Sequence, residues 1–418
     1  MFKKIKNNEK LFLQLLSNLK NNKKYSNHCR PIKILGIETS CDDTGVAIVD
    51  DTGKIIGQAL CSQQKIHTRN GGIIPPVARD LHYENITKVC EDALKSANLK
   101  LRDIDAIATT VKPGLPLSLD VGNKFGKYLC QIGNKPYIPI HHMEAHALTA
   151  RMVEKVELPF LVLLISGGHC LLALVKKIDD FYLLGTSLDD APGEAFDKVA
   201  RKLKIFNLPQ YRDKNGGAVI EHAAKFSNDP LQFEFPVPMP HYRDCNFSFS
   251  GIKNTVNTII WRQEKEFDIC GDGIVPDLYN ICAGFQLSVG KHIGHKTKRA
   301  MKFLDHSNLI PDDRRTLVVS GGVACNDFIA KCLNVVCEEM DYRLVRPPPQ
   351  LCTDNGIMIA WNGIERWREN CGVIRDPDEI AKVDIEHRSP LGTDWIPLVK
   401  EADIQCSTIK TKQLLSIL

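Results

Sequence analysis

The chain has 418 residues, with 54 Lys and Arg against 50 Asp and Glu, for a net charge of +4. Its 43% hydrophobic and 25% charged residues are ordinary for a globular protein and exclude a disordered, collagen-like or coiled-coil chain. The longest apolar run, Leu158 to Ile165, has the length of a buried strand, well short of the ~18 residues of a membrane span.

The charge is unevenly placed. Residues 1–30 hold seven Lys, Arg30 and a single acid, Glu9, which leaves 46 basic against 49 acidic side chains in the body. Phe12, Leu15, Leu16 and Leu19 fall on one face of a helix in this basic stretch. An amphipathic leader poor in acids reads as a mitochondrial transit peptide, Lys-rich where Arg is usual. The rival is a secretory signal built on Leu11 to Leu16, but no A-x-A-like cleavage site follows. The 15 cysteines are scattered without a C-x-x-C, which favours free thiols over a disulfide framework.

Beyond the leader, Ile34 to Val49 reads as two apolar strands around a small polar turn, a β-hairpin. Tyr83 to Ala97 carries Ile86, Val89, Cys90, Ala93, Leu94 and Ala97 at helical spacing. Phe160 to Val175 repeats the first hairpin in length and plan, and further helical patterns cover Ala195 to Leu203, Tyr279 to Leu304 and Ile357 to Arg368. Thr316 to Phe328 reads as a strand, a Gly-Gly turn and a helix start. Apolar strands of this kind are buried on both faces and need helices on both sides. The fold class expected is α/β, with two related lobes around a cleft. Small turns at strand ends present backbone N–H groups to an anion, and no G-x-x-x-x-G-K-[ST] is present, which excludes a P-loop.

The sharpest local signal is Ile140-His141-His142-Met143-Glu144-Ala145-His146. Imidazoles at i and i+4 of a helix share a face and can grip one divalent metal. Glu144, two residues past His142, turns ~200° away at about 100° per residue, so a metalloprotease of the H-E-x-x-H type is not expected. A third ligand must come from elsewhere. Asp354, before the helix at Ile357, either ligates or caps that helix.

These blocks together resemble the tRNA N6-adenosine threonylcarbamoyltransferases. The resemblance runs from about Ile34 to Leu391 through GIETSCDDTGVAIVD, IHHMEAHAL, LISGGHCLLALV, PGEAFDKVARKL, FSFSGIKN, SGGVACN and LCTDNGIMIAWNGIE, and looks most like the mitochondrial branch. It implies an actin-like fold of two duplicated ribonuclease-H-like lobes around a nucleotide and metal cleft. The lobes would span 31–150 and 151–398, after the leader over 1–30 and before a tail over 399–418.

The resemblance also implies one divalent metal per subunit, iron or zinc, on His142, His146 and Asp354. Threonylcarbamoyl-AMP, made by a separate synthase, would lie along Leu164, Ile165, Ser166, Gly167 and Gly168, with Asp197, Gly217, Glu221 and Asn326 at the remaining substrate positions. The activity implied is acyl transfer to N6 of adenosine 37 in mitochondrial tRNAs reading ANN codons, by a homodimer in the matrix. Leu164 departs from the archaeal and eukaryotic cytosolic members, whose Tyr at that place joins the metal. Asp42 and Asp43, in the first turn, are candidate proton acceptors or plain turn residues. Two basic stretches are candidate phosphate contacts: Lys291, His292, His295, Lys296, Lys298, Arg299 and Lys302, and Arg201, Lys202 and Lys204. The competing readings are a metalloprotease and a nucleotide-binding scaffold without activity.

Overall fold

A computed structural model describes residues 30–418 apart from Gly71 and Asp213. The expected leader therefore lies outside the described residues, but for Arg30.

Two sheets repeat one plan. In the first, β1 (Lys33–Glu38), β2 (Asp43–Asp50), β3 (Ile55–Ser62), β4 (Ala106–Lys112) and β5 (Tyr137–His141) lie in the order β3-β2-β1-β4-β5. The second holds β6 (Phe160–Ile165), β7 (Cys170–Lys177), β8 (Asp180–Thr186), β9 (Thr316–Ser320) and β10 (Arg343–Val345) in the matching order β10-β9-β6-β7-β8. A short β11 (Thr393–Asp394) extends its β8 edge. In each sheet the first three strands pair antiparallel and the last two join in parallel. The two expected hairpins are β1–β2 and β6–β7, paired from Lys33↔Asp50 to Glu38↔Gly45 and from Phe160↔Val175 to Ile165↔Cys170. The duplication seen in the sequence is thus a duplication of topology.

Helices form where apolar residues recur every three to four positions. Helix α1 (Pro75–Ser96) buries Ala78, His82, Ile86, Val89, Cys90 and Ala93. It starts well before the expected Tyr83 because Pro75 and Pro76, at its first two positions, preset the helical φ. Helix α2 (Pro116–Gly133) also opens on a proline and ends at Asn134 in the left-handed region (φ 47°). Helices α3 (His142–Leu148), α4 (Pro192–Lys202), α5 (Gly216–Ala224), α6 (Ser250–Glu266), α7 (Leu278–His306), α8 (Asp327–Met340) and α9 (Gly356–Arg368) follow. Helices α4–α8 flank the second sheet, and its core joins them to strands β6, β7 and β9.

Helix α9 is the exception to chain order. It belongs by sequence to the second half, yet it packs on β1 and β2, with Ile357, Ile359, Ala360 and Ile364 among Ile34, Ala47 and Ala108. The contact is backbone to backbone. A Cβ on Gly36 would stand 2.2 Å from the Ala360 nitrogen, and one on Gly356 2.5 Å from the Ala47 nitrogen. The chain stays on the first sheet through Ile374, which bridges Tyr137, and Glu386, whose N–H donates to the Val111 carbonyl at 2.9 Å. The expected boundary of a second lobe over 151–398 overlooks this return. Residues of the expected tail, Ile409 and Leu414, are buried in the core of the second sheet.

Candidate metal centre and nucleotide cleft

The site is built where β5 runs straight into α3. His141 ends the strand, and His142 opens the helix. His142 and His146 therefore sit one turn apart, with ring centroids 4.7 Å apart and both rings buried. Asp354 approaches from the segment ahead of α9, its Oδ1 3.1 Å from His146 Nε2 and 3.5 Å from His142 Nε2. One ligand atom from each of the three lies within 4.8 Å of the others.

Helix capping does not compete for Asp354. Asn355 is the cap of α9, and its side-chain oxygen accepts the Met358 N–H at 2.9 Å. The neighbouring Asp354 is left with its carboxylate turned to the imidazoles.

The pair Glu38 and Ser40, at the end of β1, sets the tautomer of His142. Glu38 is fully buried, and its Oε2 lies 3.1 Å from His142 Nδ1. Thr110 donates to the same oxygen at 2.6 Å, and the Ser40 N–H donates to Oε1 at 2.6 Å. A proton held on Nδ1 by Glu38 leaves Nε2 as the nitrogen that would share a metal with Asp354, the arrangement that orients a metal-binding histidine. Burial opposes charge on His142, but Glu38 and Asp354 outweigh it and raise its pKa to about 9. Burial likewise opposes charge on Asp354, and His142 and His146 reverse this, holding the carboxyl far below the usual range. The donor chemistry, two imidazole nitrogens and one carboxylate oxygen with a carboxylate behind the first histidine, fits a divalent transition ion.

Two further groups face the triad. His169, between the glycines of the β6–β7 turn and Cys170, is pushed down to about 4 by burial and by His142 and His146. Asp43 begins β2. Burial raises its carboxyl to about 6 against a hydrogen bond from Ser62, and its Oδ1 is buried without a partner. Asp42, beside it, is half-buried and turned toward the Cys41 thiol.

The second cluster lies across the cleft on the second sheet. Leu164 and Ile165 have buried side chains in β6, so only their backbone can meet a ligand. Ser166 turns the chain by accepting the Gly168 and His169 N–H groups on its hydroxyl at 3.3 and 3.1 Å. Gly167 and Gly168 are exposed, with open space where a Cβ would stand. Asp197, on α4, accepts the Gly216 N–H at 2.8 Å and so fixes the Gly216–Gly217 start of α5. Glu221 Oε1, one turn on, accepts the Asp327 and Phe328 N–H groups at 2.7 and 3.1 Å. Asn326 caps α8 and donates to Gln286 at 3.3 Å. Glu221, Gln286, Asp327 and Arg346 are among the residues lining a cleft of about 530 Å³. The strand end at Ile165 and the Gly321–Cys325 turn join the two clusters. Gly321 (φ 99°) lets that turn approach β6, where a Cβ would lie 2.3 Å from the Ile165 carbonyl.

The profile of the tRNA N6-adenosine threonylcarbamoyltransferases matches residues 54–361. This chain belongs to that family. It is 50% identical over 380 residues to the mitochondrial tRNA N6-adenosine threonylcarbamoyltransferase of Xenopus tropicalis, covering 91% of this chain and 93% of that one. The human mitochondrial protein of the same name is 48% identical over 377 residues, covering 90% of each. The transferase of Rickettsia rickettsii is 40% identical over 338 residues, covering 80% of this chain and 93% of its own. Among solved structures, HypF of T. kodakarensis matches with a TM-score of 0.48 at 14% identity, over 82% of this chain and 49% of that one. The fold is actin-like and the chain is an acyltransferase of tRNA N6-threonylcarbamoyladenosine synthesis.

One expectation changes against the geometry, and one is met. The long basic stretch is not a free surface. Lys296 is fully buried on the Asp244 carboxylate (3.3 Å), Arg299 holds the Tyr242 and Asp244 carbonyls, and Lys298 pairs with Glu339 at 2.5 Å. These cations fasten the loop before α6 and the chain's last segment to α7, while Arg201 and Lys202 remain exposed. Glu144, expected on the far face, is buried in an ion pair with Arg366 at 2.6 Å. It cannot activate water at the triad, and the metalloprotease reading ends there. Sequence reasoning missed Glu38, Ser40 and His169. Each stands at the end of a strand bounding a polar turn, the signal that marked their neighbours.

Proposed function

We propose that this chain transfers the threonylcarbamoyl group from threonylcarbamoyl-AMP, supplied by a separate synthase, to N6 of adenosine 37 in mitochondrial tRNAs reading ANN codons. It acts in the matrix, as a homodimer, with iron or zinc on His142, His146 and Asp354. The observation that carries this reading is the Glu38-backed triad facing the Ser166–Gly168 turn across one cleft. An acyl-adenylate needs both, since its phosphate asks for backbone N–H groups and its acyl end for an electrophile.

In this reading the Leu164–Gly168 backbone receives the adenylate, as open glycine turns suit anions. Asp197 and Glu221 each spend one oxygen on a backbone N–H and offer the other to ribose hydroxyls. Gly217 and Asn326 complete that wall. When bound, a divalent ion at the triad supplies Lewis acidity and a template for substrate oxygens. The adenosine leaves its stack to enter the cleft, and its N6 attacks the carbamoyl carbon. The C–O bond to the phosphate breaks, and AMP departs with the electron pair. Asp43 accepts the N6 proton, with Asp42 as its neighbour in the same turn. A carboxylate raised toward neutrality by burial is suited to that task.

The test is mass spectrometry of purified organellar tRNA from cells lacking the protein. N6-threonylcarbamoyladenosine at position 37 disappears from mitochondrial tRNAs and persists in cytosolic ones. Unchanged mitochondrial modification contradicts the assignment.

A further inference from the structure

Of the fourteen described cysteines, eight are buried. One of the eight, Cys352, has the partly exposed Cys325 as its neighbour. Cys325 closes the Gly322–Cys325 turn, immediately before Asn326, and Cys352 closes the short helix Pro349–Cys352, two residues before Asp354. The two elements pack on one another, and each thiol is the other's neighbour. The Cys325 Sγ also lies 3.9 Å from the Pro349 carbonyl, in the helix that bears Cys352.

Their surroundings differ in a way that assigns roles. Cys325 is partly exposed. Arg346, which donates to the Ala324 carbonyl at 3.1 Å and to Asp327 at 3.0 Å, places its guanidinium beside it. The partner thiol and Arg346 together outweigh burial and lower the Cys325 thiol to about 7, the environment of a reactive cysteine. Cys352 is fully buried, donates to the Pro347 carbonyl at 3.3 Å and is shielded from solvent oxidants by its own chain. A partly exposed thiol poised next to a buried resolving thiol is the arrangement that converts a sulfenic acid into a disulfide before it oxidises further.

We propose that Cys325 and Cys352 are a reversible oxidation site, closing to a disulfide under peroxide and reopening with thiol reductants. The Cys325 thiolate attacks one oxygen of hydrogen peroxide, the O–O bond breaks, and the sulfur becomes a sulfenic acid as hydroxide leaves and takes up a proton. Cys352 then attacks that sulfur, and the sulfenic oxygen departs as water with the Cys352 proton. Two thiols and one peroxide give one disulfide and two waters. The bond ties the turn ahead of Asn326 to the segment ahead of Asp354, joining the two walls of the cleft.

Graded peroxide on the intact protein, followed by alkylation and peptide mass spectrometry, tests this. The result expected is a Cys325–Cys352 linked peptide, lighter by two hydrogens, appearing at lower peroxide than any modification of the exposed Cys270 and lost on adding dithiothreitol. C352S, removing the resolving thiol, turns the product at Cys325 into sulfinic acid. C325S removes the cross-link without exposing a buried position. Oxidation of Cys270 ahead of Cys325, or sulfinic acid at Cys325 in the unsubstituted protein, overturns the proposal.

Discussion

Glu38 reaches His142 from behind, and its place in the core decides what the imidazole can bind. It spends Oε1 on the Ser40 N–H and Oε2 on Thr110 and His142. Replacing it with Gln keeps the shape and removes the charge that orders the Nδ1 proton. E38Q is expected to lose about 10–100-fold in metal affinity with its thermal transition retained, as read by metal titration of the purified protein. Asp43 gives a second test at this scale. Its raised pKa of about 6 means the carboxylate is fully formed only above that value, so a proton acceptor there makes transfer fall as pH drops through about 6. The stability sign runs the other way. A carboxyl raised by burial favours the folded state below its unfolded pKa, and that contribution is lost as pH rises through about 6. D43N therefore flattens the acid limb and slows transfer near neutrality without lowering the melting temperature, and a pH profile with a matched melt reads both.

At the scale of elements, α9 matters more than its place in the sequence suggests. It hangs Asp354 over α3 by lying against β1 and β2 with no side chain between at Gly36 and Gly356. The G36A change drives a methyl into the Ala360 backbone, which must shift. A cost of about 1–3 kcal/mol follows from overpacking, with a loss of metal binding larger than the loss of stability explains. Denaturant melts beside metal titrations measure the two.

The contact also marks where reading the sequence stopped. Hairpins β1–β2 and β6–β7, helices α4, α7 and α9 and the His142–His146 face were legible, because period and turn chemistry are local. The return of α9 to the first sheet was not, because no spacing within Ile357 to Arg368 names the sheet it meets. The basic pattern on α7 misled for the same reason. A run of Lys and Arg on a solvated face and one buried on Asp244 and carbonyls are identical as sequence. Asp354 went the other way: its capping role passed to Asn355, a difference of one residue that only backbone geometry settles.

For the whole molecule, the two sheets bring two chemistries to one cleft. The first carries the triad through β5, α3 and the segment before α9. The second carries the open turn of Ser166–Gly168 and the carboxylates of α4 and α5. A scaffold needs neither a carboxylate behind His142 nor a histidine pair aimed at Asp354, and burying such groups is costly unless they are used. The measurement that bears most directly on transfer is reconstitution with purified protein lacking residues 1–30, synthetic threonylcarbamoyl-AMP and an unmodified mitochondrial tRNA reading ANN codons. The protein is expected to form N6-threonylcarbamoyladenosine and AMP in equal amounts without any other protein, and H142A to form neither while still folding. No product from the metal-loaded protein, or undiminished product from H142A, contradicts a transferase working through this triad.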